Sequence, residues 1–205
     1  MLYLANPCSD DAVIAAMLTG LLGFIDTPRQ RNPRPAGVSW AADNGCFTDR
    51  WDEDKWWRWL TVNAGDPGCL FATAPDVVAD AAATLERAGP WMPRMRQLGY
   101  PVAFVAQDGL EGLRVPWDSF QVLFVGGSTM WKMGPHARAL VGQAHRHGKR
   151  VHFGRVNSQR RYLYAYELGC HTADGTTLTR GSRANLPHVL SWPRAAAHPR
   201  LLEVS

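Results

Sequence analysis

The 205-residue sequence contains no apolar run approaching the roughly 20 residues needed to cross a bilayer. Its opening stretch, Met1 to Pro7, lacks the basic segment that begins a secretory signal. A cytoplasmic protein with no membrane partner is the expectation. Its four cysteines, Cys8, Cys46, Cys69 and Cys170, are widely spaced and form no Cys-x-x-Cys pair. That spacing excludes a local zinc cluster and argues against a disulfide framework, so no metal and no cofactor is expected. The sequence also has no glycine-rich phosphate loop, no zincin motif and no serine–histidine arrangement, which sets aside the commonest nucleotide-hydrolysing and hydrolytic chemistries. Charge is moderate: a net +4, compatible with a nucleic-acid partner without requiring one.

What is present is an ordinary globular balance, 46% apolar and 20% charged, in a chain long enough to bury a core as one domain over residues 1–205. Short apolar runs alternate with helical patterns. The strands expected are Leu2–Ala5, Val38–Ala42, Cys69–Thr73, Val102–Ala106, Val122–Val125, Arg150–Phe153 and Cys170–Ala173. Helices are expected from Asp10 or Asp11 to Gly23, Asp52 to Ala64, Asp76 to Leu98 with a break near Gly89-Pro90, Gly134 or Pro135 to Gly148, and Asn157 to Leu168. Thr27 to Gly37 reads as an irregular, exposed loop, and Arg29–Arg34 within it as a candidate flexible arm.

Strands that are apolar throughout, separated by helices, indicate a parallel sheet buried on both faces. Seven units, or eight if the C-terminal segment supplies one, favour a compact (β/α)8-type TIM barrel over an open doubly wound sheet. The short length predicts trimmed helices or incomplete closure.

Six of the seven strand ends carry a polar or glycine residue: Asp43, Asp76, Gln107-Asp108, Gly126-Gly127, Gly154 and Asp174. In a parallel barrel these ends converge on one face, where active sites are built. The chemistry available there is that of carboxylates. One carboxylate can act as nucleophile and a second as proton shuttle, the division used to break glycosidic bonds through a covalent sugar intermediate. Phe47 and Phe153 would close over the two faces of a heterocycle. His152 and His171 read as core or rim histidines, and Asp108 as an Asp-Gly turn residue or a further carboxylate partner.

These residues resemble the tRNA-guanine transglycosylase superfamily, most closely its short, phage-type DNA 7-deazaguanine transglycosylases. Asp43-Asn44-Gly45-Cys46-Phe47 is similar to the family's Asp-small-Gly-small-aromatic pattern, and Ala106-Gln107-Asp108-Gly109 to its glutamine-bearing strand end. Gly126-Gly127 resembles its Gly-Gly segment, and Phe153-Gly154-Arg155-Val156-Asn157 the strand end that follows. Gly169, five residues before Asp174, matches the helix-ending glycine that precedes the nucleophile.

The resemblance implies that Asp174 is the nucleophile and Asp43 the general acid/base. Phe47, Asp76, Gln107, Gly126, Gly127, Phe153 and Gly154 would hold the base, with Asp80 a weaker alternative to Asp76. The implied partners are DNA with an extruded guanosine and a free 7-deazaguanine base. Arg155, Arg180 and Arg183 are the candidate phosphate contacts. No Cys-x-Cys-x-x-Cys…His segment follows Asp174, so the zinc subdomain of the tRNA enzymes is missing, which turns the expectation from tRNA towards DNA. The rival readings are a DNA glycosylase on the same scaffold, a tRNA-type relative, a non-catalytic nucleic-acid binder, and a small-molecule barrel enzyme.

Overall fold

The computed structural model describes residues 1–6, 9–29, 32–47, 51–179 and 181–197. Eight strands follow one another around a closed barrel: β1 (Leu2–Ala5), β2 (Gly23–Asp26), β3 (Trp40–Ala42), β4 (Cys69–Thr73), β5 (Val102–Ala106), β6 (Val122–Val125), β7 (Arg150–Phe153) and β8 (Thr172–Gly175). Every neighbouring pair is parallel, and β8 returns to β1 with Leu2 opposite Thr172 and Leu4 opposite Asp174. Closure is complete, so the expected incomplete closure is corrected.

Around the strands lie α1 (Asp11–Leu18), α2 (Glu53–Val62), α3 (Ala81–Ala88), α4 (Trp91–Gln97), the single-turn α5 (Thr129–Lys132), α6 (Pro135–Arg146), α7 (Gln159–Glu167) and α8 (Ser182–Ala197). Trimming is real and local: among the described residues no helix joins β2 to β3.

The eighth strand is β2, not the C-terminal segment, which forms α8. The helix expected to run to Gly23 ends at Leu18. Gly20 stops it at φ +75°, with its N–H on the Met17 carbonyl and the Leu21 N–H on the Ala16 carbonyl, the paired closure of a Schellman motif. Gly23 has a different task. A Cβ there would lie 2.5 Å from the Leu4 side chain and 2.9 Å from the Ser39 carbonyl, so its bareness lets β2 fit between its neighbours. Strand β8 also starts two residues later than expected, which puts Asp174 within the ladder rather than in the loop beyond it.

Two apolar layers hold this arrangement. Leu4, Ile25, Ala41, Phe71, Ala103, Val105, Val122 and Phe124 fill the barrel interior, while a larger layer lies between strands and helices. Side-chain caps open the helices: Asp10, Asp52, Asp80, Ser128 and Ser158 each accept a backbone N–H of the first turn. The tryptophans of α2 pack as expected, with Trp56 buried edge-on against Trp91 at 5.1 Å. Among the described residues no helix is long and apolar enough to cross a membrane.

Candidate active site

A pocket of about 220 Å³ opens among the strand ends. At about 30 Å³ per water it has room for roughly seven, the scale of one bicyclic heterocycle. Asp43, Phe47, Asp76, Gln107, Gly126, Gly127, Arg155 and Asp174 all line it. Ile25, Val105 and Phe124 give it an apolar side, and the buried hydroxyl of Thr73, also in the lining, has no hydrogen-bond partner among the described residues.

Neighbouring strands supply a connected polar wall. Asp76 accepts from Asn44 Nδ2 at 2.8 Å on one carboxyl oxygen and from Gln107 Nε2 at 2.5 Å on the other. Asn44 Nδ2 also donates to the Ala74 carbonyl at 2.7 Å. Gln107 Oε1 in turn accepts the N–H groups of Ala79 and Gly127, each at 2.9 Å. The network therefore ties β3, β4, β5 and the loop after β6 together. Burial raises the Asp76 carboxyl above its ordinary range against the lowering effect of these donors. Asp43 stands beside this wall, half-buried at the pocket surface. Desolvation, with the nearby charges of Asp174 and Asp76, pushes its carboxyl up to about 7.

Across the pocket, Asp174 Oδ1 accepts the Arg155 N–H at 3.2 Å and faces His152 Nε2 at 3.0 Å. Arg155 is strained into the left-handed region at φ 57°. Its guanidinium reaches back to the Gly127 carbonyl and lies 5.5 Å from the centroid of the Phe47 ring, which is 69% exposed at the mouth. Gly175 follows in a space that admits no side chain. A Cβ there would sit 2.3 Å from the Val156 carbonyl and 2.6 Å from the Tyr3 hydroxyl.

Several expected contacts are corrected. Phe153 is fully buried in the outer layer, edge-on to Tyr164, and does not line the pocket. Adjacent strand residues face opposite ways, so it is His152 that points inward. Gly154 is also absent from the lining. It leaves room for the Phe124 ring, 2.6 Å from where its Cβ would be, and its carbonyl accepts from Lys132 Nζ at 2.5 Å. The weaker alternative, Asp80, caps α3, and the expected Asp76 is the one of the two that lines the pocket.

Asp108 binds the Ser128 N–H and hydroxyl and holds the loop after β6. Arg183 extends into solvent near Asp10, away from the pocket, at 3.7 Å. Arg180 lies outside the described residues. In the arm candidate, Gln30 and Arg31 also lie outside them, while Arg34 is clamped by Asp26 at 3.0 Å and Asp66 at 2.9 Å over the Trp40 ring.

Three residues of the site escaped the sequence reading. Asn44 stands in the matched motif as a small residue but acts as a donor to Asp76. His152 is wholly buried yet reaches Asp174. Lys132 is a buried amine, its pKa lowered to about 7 mainly by desolvation and also by the charge of Arg155. Among the described residues no three metal-binding side chains gather.

No family model matches the chain, and no curated protein matches it. Among solved structures it is similar to a chain of the Amycolatopsis orientalis BexX/CysO complex, with a TM-score of 0.61 over 99% of this chain and 93% of that one. Identity is 17%, so the likeness extends to the fold alone.

Proposed function

We propose that this protein exchanges guanine in DNA for a 7-deazaguanine through a covalent aspartyl-sugar intermediate. The observation that carries the reading is one pocket lined by three carboxylates, of which Asp43 and Asp174 stand in unlike surroundings. Asp43 is pushed up to about 7, where it can hold and release a proton at neutral pH, while Asp174 is oriented by donors. Carboxylates divided in this way suit a proton shuttle and a nucleophile.

An extruded guanosine places its base in the pocket, since a stacked base is out of reach of such a site. The apolar side formed by Ile25, Val105 and Phe124 takes the ring, Phe47 lies at the mouth, and Thr73 offers an unused hydroxyl. Asp174 attacks C1′ as the C1′–N9 bond breaks, its electron pair leaves with the guanine, and Asp43 gives that base a proton. The deazaguanine then enters. Its N9 attacks C1′, Asp43 takes the N9 proton, and the Asp174 carboxylate is released.

The test mixes guanine-containing single-stranded DNA with the protein, with and without a panel of deazaguanines, followed by nucleoside mass spectrometry and denaturing gels. Expected are a protein–DNA adduct and base replacement with wild type and neither with Asp174→Asn. Abasic sites formed without any added base would instead make the protein a glycosylase. Full exchange by Asp174→Asn would sink the covalent mechanism.

A further inference from the structure

We propose that His152 is the positioning residue of Asp174, aiming one carboxylate oxygen at the sugar; the inference rests on the base-exchange reading above. His152 lies on β7 with its side chain inside the barrel, wholly buried between the Phe71 and Phe124 rings at centroid distances of 5.0 and 4.3 Å. Both ring nitrogens have partners: Nδ1 is 2.8 Å from Thr172 Oγ1, and Nε2 is 3.0 Å from Asp174 Oδ1. A carboxylate accepts only, so the contact requires a proton on Nε2. The Thr172 hydroxyl completes the chain at Nδ1, donating to that nitrogen when it carries no proton. Thr172 and Asp174 lie two positions apart on β8 and therefore face the same way, which makes the threonine, histidine and aspartate one inward-facing row.

The row has a directional consequence. Asp174 Oδ1 receives two donors, the His152 ring and the Arg155 N–H at 3.2 Å, while among the described residues Oδ2 accepts no hydrogen bond. Oδ2 is the oxygen that forms the bond to C1′ while the C1′–N9 pair departs with the protonated guanine. His152 makes no contact with the substrate. It acts through the orientation of the carboxylate.

The amide nitrogen of glutamine reaches the place of Nε2, that of asparagine only the place of Nδ1, and phenylalanine fills the aromatic slot without a donor. Single-turnover adduct formation with His152→Phe and His152→Asn is expected to slow by about 100-fold, the scale of a misaligned reacting group, with His152→Gln restoring it to within about 10-fold of wild type. Affinity for free guanine should stay within about 2-fold in His152→Phe, which keeps an aromatic ring against Phe124 while Asp76 and Gln107 lie across the pocket. A fast His152→Phe variant, equal rates for the glutamine and asparagine variants, or a parallel loss of guanine binding in His152→Phe would each overturn the proposal.

Wild type that forms no adduct at all would fail the base-exchange reading itself. The positioning contact is then judged separately by 15N NMR of the histidine rings in unmutated protein. A proton on Nε2 of His152, with its signal displaced in Asp174→Asn, supports the contact. A ring protonated on Nδ1 alone overturns it, including where the variants fail to fold.

Discussion

The two sides of the pocket are built by different means. On the β3–β5 side, Asn44, Asp76 and Gln107 are tied side chain to side chain, and each oxygen of Asp76 is already occupied. On the β7–β8 side, backbone shares the holding with the His152 ring. Arg155 sits at positive φ to offer its N–H to Asp174, and Gly175 is packed too tightly for a methyl group. The first side is a rigid surface of donors and acceptors, suited to recognition. The second keeps local strain beside an aimed carboxylate, the usual place for strain in proteins that do chemistry. On the proposed reading the nucleophile Asp174 stands on β8 and the base-holding Asp76 and Gln107 follow β4 and β5, with the proton shuttle Asp43 beside them.

That division can be broken by mutation. The largest effect belongs to the reacting side: Asp174→Asn should lower single-turnover adduct formation by about 10⁴-fold or more, with guanine affinity nearly unchanged in calorimetry. Asp76→Asn should do the reverse. It turns one acceptor into a donor facing amide donors, which costs about 2 kcal/mol and weakens guanine binding about 30-fold, with a smaller change in the rate of the bound complex. If both variants changed rate and affinity together, the division would fail.

Gly175→Ala should destabilise the fold by about 2 kcal/mol, seen as a Tm lower by roughly 4–8 °C, since backbone and a hydroxyl crowd the new methyl.

The smallest effects are slopes of stability against pH. The Asp43 carboxyl lies near 7 in the folded protein against an ordinary 3.8. Between those values the folded state keeps a proton that the unfolded state has lost, and stability falls as pH rises. Lys132 is lowered to about 7 from 10.5, so above 7 the unfolded state holds the extra proton and stability rises with pH. Asp43→Asn should flatten part of the falling limb, to which the raised Asp76 and Asp26 also contribute, and Lys132→Met should remove the rise between about 7 and 9, above which the raised Cys46, Cys69 and Cys170 thiols pull stability down. Denaturant titrations from about pH 4 to pH 10 measure both.

The strand ends were legible because polar and glycine residues interrupt runs that are otherwise apolar, and Asp43, Phe47, Asp76, Gln107, Gly126, Gly127 and Asp174 do meet in one pocket. Which residue of a strand faces inward was not legible in β7. Arg150-Val151-His152-Phe153 alternates polar and apolar residues, but the last three are all buried, so the alternation does not tell that the histidine face is the inner one. The inward position expected of Phe153 belongs to His152. Strand β2 was hidden for a related reason. Its Phe24-Ile25 run is too short to separate from the preceding helical pattern, and Gly23 reads equally as a helix stop or as a close strand contact. Asp80 and Asp76 differ only in local context, and helix capping claimed the former.

The seam between β1 and β8 has a consequence for how the molecule acquires its site. Asp174 is set between β7 and β1, opposite Leu4, and the Tyr3 hydroxyl bonds the Val156 carbonyl 153 residues away. Contacts this distant in sequence are slow to form, since a long stretch of chain must be ordered before they return any stability. A molecule with β2 to β7 assembled and the seam open would carry its recognising wall complete and its reacting carboxylate unsupported. Closing that seam is what gives Asp174 its place opposite Leu4.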